Sequence, residues 1–256
     1  MLDASRLSVP AIATALGPLA SRFDVDVLAE CDSTNTLLMA LAESGAPSGT
    51  VIATEHQTAG RGRMGREWHA DAASSLTFSL LWRLPSGASP SGLSLAVGVA
   101  VAEALQTLGI DKVALKWPND ILLDGRKLGG ILIELASTAA VIGIGLNLRL
   151  PAGLPDEVRR GATALERDVD RNVLLGRLLA GLHGALEAFA ADGFVALRDR
   201  WQALNAHTGA PVRILSGFSA PLEGRCVGID VDGALLLETA AGTQRVISGD
   251  VSLRPA

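Results

Sequence analysis

The chain has 256 residues, 48% apolar and 19% charged, with a formal net charge of −5 and a pI near 5.4. That apolar content suffices for a sizeable core and excludes an intrinsically disordered chain, while the acidic balance excludes a protein drawn to DNA or to an anionic membrane by its overall field. The length fits a main domain with a smaller one, and the two cysteines, Cys31 and Cys226, stand far apart in no metal-ligand spacing, so a reduced, cytoplasmic protein is expected.

The run Leu7 to Leu16 follows Arg6 and resembles a weak signal peptide, but Pro10, Gly17 and Pro18 interrupt it and Asp3 occupies the place of a basic residue. Export is not expected. No stretch reaches the roughly 18 uninterrupted apolar residues of a membrane span. Leu93 to Leu108 comes nearest and carries Glu103 and Gln106, so no membrane association is expected.

Val25 to Glu30 alternates as a half-buried strand does, and Ser33-Thr34-Asn35 then precedes Leu37, Leu38, Leu41 and Ala42 at helical spacing. Short polar side chains at that place have an ordinary reading as helix caps. Gly45 to Gly49 breaks the helix, and Thr50 to His56 is predicted as a strand.

That strand launches Gln57-Thr58-Ala59-Gly60-Arg61-Gly62-Arg63-Met64-Gly65-Arg66-Glu67-Trp68-His69, in which glycine and arginine recur without any apolar period. A loop is predicted. Glycine allows close backbone approach and positive φ, and arginine supplies planar N–H forks for phosphate or carboxylate, so an anion is the expected guest. Gly60, Gly62 and Gly65 also fit a dinucleotide-binding fingerprint, but no helix pattern starts there and no acid lies near Pro85. The plain alternative is a solvated basic loop.

Ser75 to Leu84 reads as another strand, and Leu93 to Leu108 as a buried helix ending at Gly109. From Val113 an apolar strand ends at Lys116, Pro118 breaks it, and a hairpin at Asp124-Gly125 returns into a second strand reaching Glu134. Lys116, Asn119, Asp120 and Lys127 therefore fall at strand ends. Two cations, an amide and a carboxylate suit a nucleoside triphosphate, the carboxylate of Asp120 holding Mg²⁺. The bland alternative pairs Lys127 with Asp124 at the surface.

Asn172 to Ala190 and Phe194 to Leu204 have helical leucine spacing. After Gly209 the pattern changes to short strands, Val212 to Leu215, Leu222 to Ile229, Ala234 to Glu238 and Thr243 to Ser248, with turns at Ser216-Gly217 and Asp232-Gly233. Two domains, 1–208 and 209–256, are expected.

Five stretches in order, Ser33-Thr34-Asn35, Gln57 with Gly60 to Arg66, Lys116-Trp117-Pro118-Asn119-Asp120, Arg126-Lys127-Leu128-Gly129-Gly130-Ile131 and Gly143-Ile144-Gly145-Leu146-Asn147, resemble the signature motifs of the biotin protein ligases. The resemblance covers most of the chain and implies an α+β fold. Its core would be a mixed sheet with flanking helices, like that of the class II aminoacyl-tRNA synthetases, followed by a small SH3-like β-barrel. It implies a ligase that uses ATP and Mg²⁺ to activate biotin as biotinyl-5′-AMP and transfers it to a lysine of a biotin carboxyl carrier protein.

Carried onto this chain, the resemblance implies biotin contacts at Ser33, Thr34, Asn35, Gln57, Arg61, Gly62, Arg63 and Lys127, with Arg61, Arg63 and Lys127 catalytic. It implies nucleotide contacts at Gly60, Gly65, Arg66, Lys116, Asn119, Asp120 and Asn147, with Asp120 the Mg²⁺ ligand. Trp68 and Trp117 stack or simply pack, and packing is the safer expectation. Met64 departs from the arginine or similar residue that the resemblance implies at that point of the loop, which bears only on that position's part in closing it. His56 and His69 receive no catalytic role. Too few residues precede Val25 for the winged helix-turn-helix domain of some members, so no specific DNA binding is expected. A free sheet edge would let two chains pair as a homodimer, though the sequence does not show which edge. Two other classes compete: a lipoate ligase or octanoyl transferase on the same core, and a nucleic-acid-binding protein using the arginine loop.

Overall fold

The computed structural model describes residues 6–70, 74–136, 139–151, 153–216, 219–247 and 251–255. Its contacts divide the chain into two compact units, Met1–Gly87 with Arg126–Leu182, and Ala88–Gly125 with His183–Ala256.

The first unit opens with helix α1 (Val9–Leu16), which carries Pro10 in its first turn. Proline is tolerated there because that N–H has no helical partner in any case, so the residue that argued against a signal peptide begins a helix. Strand β1 (Asp24–Cys31), helix α2 (Thr34–Glu43) and strand β2 (Thr50–Gln57) follow as predicted, with β1 parallel to β2. Strands β3 (Ser75–Arg83), β6 (Arg126–Ala136) and β7 (Ala139–Asn147) continue a mixed sheet in the order β1-β2-β3-β7-β6. Apart from β1 against β2, these neighbours pair antiparallel.

Burial matches position. The edge strand β1 alternates between exposed and half-buried residues, whereas β3 is buried almost throughout, as expected of a strand covered on both faces. Leu38 and Ala42 of α2 pack on Ile52, Leu81, Ala139 and Val141. Helix α5 (Arg171–Asp192) begins in this unit and buries Leu174, Leu175, Leu178, Leu179 and Leu182 completely. Its Gly176 lies against Ala15 of α1, where a methyl group would overlap. The sequence reading did not resolve β7 as a strand or helix α4 (Asp156–Gly161).

In the second unit, α3 (Leu93–Thr107) is buried nearly all round, and Gly109 takes the left-handed conformation expected just past its end. Strands β4 (Val113–Lys116) and β5 (Asp120–Leu123) form a tight antiparallel hairpin across a cis Trp117–Pro118 bond. Asp124 and Gly125 both have positive φ, 49° and 75°, as the expected Asp-Gly turn requires. The second predicted C-terminal helix resolves into a 3₁₀ turn, Gly193–Leu197, and α6 (Arg198–Leu204).

The C-terminal strands β8 (Pro211–Ser216), β9 (Ser219–Ile229), β10 (Leu235–Thr239), β11 (Gly242–Val246) and β12 (Val251–Pro255) pair in the order β11-β10-β9-β8-β12. They form a small antiparallel sheet. Among the described residues no ladder joins β11 to β12, and the structure shows of the expected barrel a five-stranded antiparallel sheet. The expectation missed β12, and Gly217 and Ser248, placed in a turn and a strand, lie outside the described residues. Trp117 donates from Nε1 to the Gly233 carbonyl at 3.1 Å, and Arg198 from Nε to the Ile229 carbonyl at 3.0 Å. Packing within this unit therefore runs across the sequence boundary expected near 208.

The run Arg171–Leu204 has the length and hydropathy of a membrane span, with half of its apolar window buried inside the protein. A core helix of a folded protein has that character.

Candidate functional site

The arginine loop is folded back on itself. Trp68 N–H donates to the Gly60 carbonyl at 2.9 Å, Gly62 N–H to the Arg66 carbonyl at 2.7 Å, and Arg61 bridges Glu67 as in a short antiparallel pair. A single 3₁₀ turn, Arg63–Gly65, closes the tip, where Met64 and Gly65 have φ of 60° and 69°. No helix starts in the loop, which removes the dinucleotide reading. Only Gly65 of its three glycines uses positive φ. Gly60 serves a close approach instead, since a Cβ there would fall 2.5 Å from the Trp68 carbonyl oxygen. The loop from Thr58 to Glu67, with Leu132 and Glu134, lines a cleft of about 570 Å³.

Glycines elsewhere make room for what the loop carries. Gly130 and Gly145 face each other across β6 and β7, and a Cβ on Gly145 would lie 2.5 Å from Cε2 of Trp68. At Gly130 it would lie 3.5 Å from Lys127 Nζ and 3.9 Å from Trp68 Cζ3. The half-buried indole therefore rests on a stretch of sheet without side chains, next to the lysine ammonium. Its Nε1–H is buried and has no hydrogen-bond partner among the described residues. Gly143 performs the same service for Asn35, whose Oδ1 occupies the space a Cβ would need.

Ser33, Thr34 and Asn35 are each 3% exposed at the start of α2. Ser33 holds the N-cap position, but its side chain makes no capping bond, contrary to the ordinary reading. The other two side chains are committed to tertiary contacts. Thr34 donates from N–H to Gln57 Oε1 at 2.8 Å, and its Oγ1, whose one proton is shared between Gln57 and Ser79, lies 3.1 Å from the same oxygen. Ser79 Oγ lies 2.7 Å from Thr34 Oγ1 and 2.6 Å from Asn35 Oδ1. Asn35 donates from Nδ2 to Glu134 Oε2 at 2.9 Å and to the Leu132 carbonyl at 3.3 Å. Arg61 pairs through Nη2 with Glu134 and donates from Nη1 to Thr36 Oγ1 at 3.1 Å. One polar chain thus runs from half-buried Gln57 through buried Thr34, Ser79 and Asn35 to exposed Arg61, and its linked hydrogen bonds fix the buried members in place.

Sequence reasoning missed Ser79, Thr36 and Glu134. The signals existed: Ser75, Thr77 and Ser79 alternate along a predicted strand, and Glu134 is a carboxylate inside an apolar run.

Lys127, half-buried at the start of β6, accepts Thr163 N–H on its carbonyl at 2.8 Å. Asn147 donates from Nδ2 to the Thr163 carbonyl at 3.0 Å and accepts Leu165 N–H on its carbonyl at 3.1 Å. Its carboxamide therefore fastens the segment after α4. Arg66 is exposed and Arg63 half-buried at the loop tip. His56 pairs with Glu30 at 3.0 Å, and His69 lies 3.4 Å from Glu67.

In the second unit Lys116 Nζ lies 3.6 Å from Asp120 Oδ2, with side chains 16% and 17% exposed, and Asn119 is half-buried between them in sequence. His207 has its pKa lowered by burial first and by the Lys116 charge second. Asp124 pairs with Lys112 at 3.1 Å. The structure therefore gathers Ser33, Thr34, Asn35, Gln57, Gly60 to Arg66, Lys127 and Asn147 in the first unit, and Lys116, Asn119 and Asp120 in the second. Among the described residues there is no cluster of three or more His, Cys, Asp or Glu side chains that could cage a metal ion.

Residues 27–148 match the Biotin/lipoate A/B protein ligase family, and residues 207–254 match the biotin protein ligase C terminal domain. The chain is 39% identical over 243 residues to the bifunctional ligase/repressor BirA of Salmonella typhimurium, an alignment covering 91% of this chain and 75% of that protein. It is 37% identical over 237 residues to the biotin--[acetyl-CoA-carboxylase] ligase of Mycobacterium tuberculosis, covering 89% and 88% of the two chains. Among solved structures, the biotin protein ligase from Aquifex aeolicus in complex with biotin and ATP superposes with a TM-score of 0.82 at 30% identity, over 91% of this chain and 99% of that one. By these matches the chain belongs to the biotin protein ligase family.

Proposed function

We propose that the protein activates biotin with ATP, forming biotinyl-5′-AMP, and transfers the biotinyl group to a lysine of a biotin carboxyl carrier domain in the cytoplasm. The observation that carries this reading is the unbroken polar chain from Gln57 to Arg61 beside a glycine floor that seats Trp68 and Lys127. A neutral ureido ring needs paired donors and acceptors, which Ser33, Thr34, Asn35 and Gln57 supply with Ser79. A carboxylate needs cations, which Arg61, Arg63 and Lys127 supply beside the bare backbone of Gly62.

In the first step a biotin carboxylate oxygen bonds to the α-phosphorus of ATP and pyrophosphate leaves. Arg61, Arg63 and Lys127 offset the charge building on the phosphoryl oxygens. In the second step the acceptor lysine, as the free amine, bonds to the acyl carbon, AMP leaves, and the nitrogen loses a proton. The folded loop shields the mixed anhydride from water between the steps.

Gly60, Gly65 and Arg66 of the loop are assigned to the nucleotide, and Asn147 supports that end of the site by fastening Thr163. In the second unit Lys116, Asn119 and Asp120 have the charge pattern of a Mg²⁺-nucleotide contact. A single carboxylate fits that ion, which keeps several waters and takes its other ligands from phosphate oxygens. Bound there, it would offset phosphate charge. Residues 1–208 form the proposed catalytic part and 209–256 the C-terminal domain, a division supported by the match of residues 207–254. The Mycobacterium relative is named for acetyl-CoA carboxylase, which supports a carrier domain of such an enzyme as acceptor.

ATP–pyrophosphate exchange with purified protein and Mg²⁺, run with biotin, with lipoate and with neither, tests the reading. Exchange only with biotin is expected. Exchange with lipoate instead would transfer the chain to the sister activity, and no exchange from folded protein would overturn the proposal.

A further inference from the structure

Glu134 has no role in the reaction as set out so far, yet it occupies a decisive joint. It stands on β6 among Ile131, Leu132, Ile133 and Leu135, and its two oxygens are engaged in different directions. Oε2 accepts Asn35 Nδ2 at 2.9 Å, and Oε1 pairs with Arg61 Nη2. Asn35 is 3% exposed, whereas the Arg61 side chain is 45% exposed, so Glu134 couples the buried end of the network to its open end.

The chemistry of a carboxylate makes this coupling directional. An ionised carboxylate only accepts hydrogen bonds. Asn35 must therefore turn its Nδ2 toward Glu134, which leaves Oδ1 toward Ser79 at 2.6 Å, and the single Ser79 proton is drawn to that oxygen. The same carboxylate, together with Thr36 Oγ1, holds two nitrogens of one planar guanidinium and so fixes its plane. Donor and acceptor order around the ring site and the orientation of the cation for the carboxylate both trace to one side chain.

We propose that Glu134 is a positioning residue for biotin activation, setting the polarity of Asn35 and the plane of Arg61 before the ligand arrives. The inference rests on the biotin reading given above. Glutamine at this position offers either an amide or a carbonyl to Asn35 and no charge to Arg61, so Glu134→Gln removes both constraints in a nearly isosteric side chain. Glu134→Asp keeps the charge on a shorter arm.

Two measurements test it together. In the ligand-free protein, hydrogen–deuterium exchange at the Gly62, Arg66 and Trp68 amides, all bonded within the loop, is expected to quicken about tenfold in E134Q. In pyrophosphate exchange, the KM for biotin is expected to rise about tenfold in E134Q and less in E134D, with the KM for ATP changing by less than about twofold. Unchanged loop protection in E134Q would overturn the proposal, and so would an unchanged biotin KM, equal rises in both KM values, or equal losses in E134D and E134Q. Failure of the wild-type protein to exchange with biotin would sink the functional reading instead, and the ligand-free exchange measurement would still decide whether Glu134 holds the loop.

Discussion

The arginine loop and the Trp117–Asn119 turn both interrupt strands and both set charged groups beside a tryptophan, yet they are held by different means. Trp117 is 1% exposed, and its indole N–H reaches the Gly233 carbonyl, so its bonding is complete. Lys116 and Asp120 pair across the hairpin that encloses it. Trp68 is only half-buried, lies on backbone rather than in a side-chain socket, and keeps an N–H without a partner among the described residues. Arg61 is anchored by polar contacts at the edge of solvent. The turn is fixed by finished packing, whereas the loop is fixed by a few exchangeable contacts, the construction expected of an element that must rearrange around a ligand.

Lys127→Ala strikes this contrast hardest. Lys127 touches the glycine floor, so pyrophosphate exchange should fall about a hundredfold with the melting temperature nearly unchanged. A matching drop in melting temperature would move Lys127 to the packed side of the comparison. Gly145→Ala puts a methyl where Trp68 Cε2 lies and should unseat the indole, speeding the escape of biotinyl-AMP about tenfold in a trapping assay. Normal retention would mean that the floor does not hold the loop. Arg61→Ala removes one or two charge-assisted hydrogen bonds and should release the adenylate several-fold to about tenfold faster, the same trapping assay giving the comparison.

On the packed side, Trp117→Phe keeps most of the apolar volume and loses one buried hydrogen bond. Urea unfolding should show a loss of about 1 kcal/mol. No loss would make the Gly233 contact incidental. The smallest effect concerns His207, whose folded pKa lies below the ordinary value of 6.5 because burial, and then Lys116, oppose its charge. As pH falls through 6.5 the unfolded chain takes up a proton that the folded chain refuses, so this group lowers stability progressively down to the folded pKa. His207→Gln should flatten that part of the stability–pH curve, and an unaltered slope would discard the assignment.

Much of this was legible from residue order. The strands from Val25 and Thr50, the buried helix from Leu93 and the Asp124-Gly125 turn follow local rules of alternation, helical spacing and turn chemistry, and the structure contains them. The arginine loop was legible because nothing in it could bury itself. What escaped is tertiary. Ser33, Thr34 and Asn35 looked like caps because local rules see only the helix end, whereas Gln57, Ser79 and Glu134 reach two of them from distant strands. The order of the C-terminal strands and the strand Val251–Pro255 depend on which edges meet, and alternation within a strand carries no information about its neighbours.

The facing pair Gly130 and Gly145 also decides how the seat of the loop can be remodelled. A surface made of main chain cannot retract by changing rotamer, as a leucine or methionine would, so the base under the Trp68 ring does not yield. Any adjustment there must come from tilting the Trp68 ring. The seat of the loop on the sheet is then governed by the swing of one aromatic side chain over an unyielding base, which makes position 68, rather than the strands, the place where a substitution would change how the loop lies.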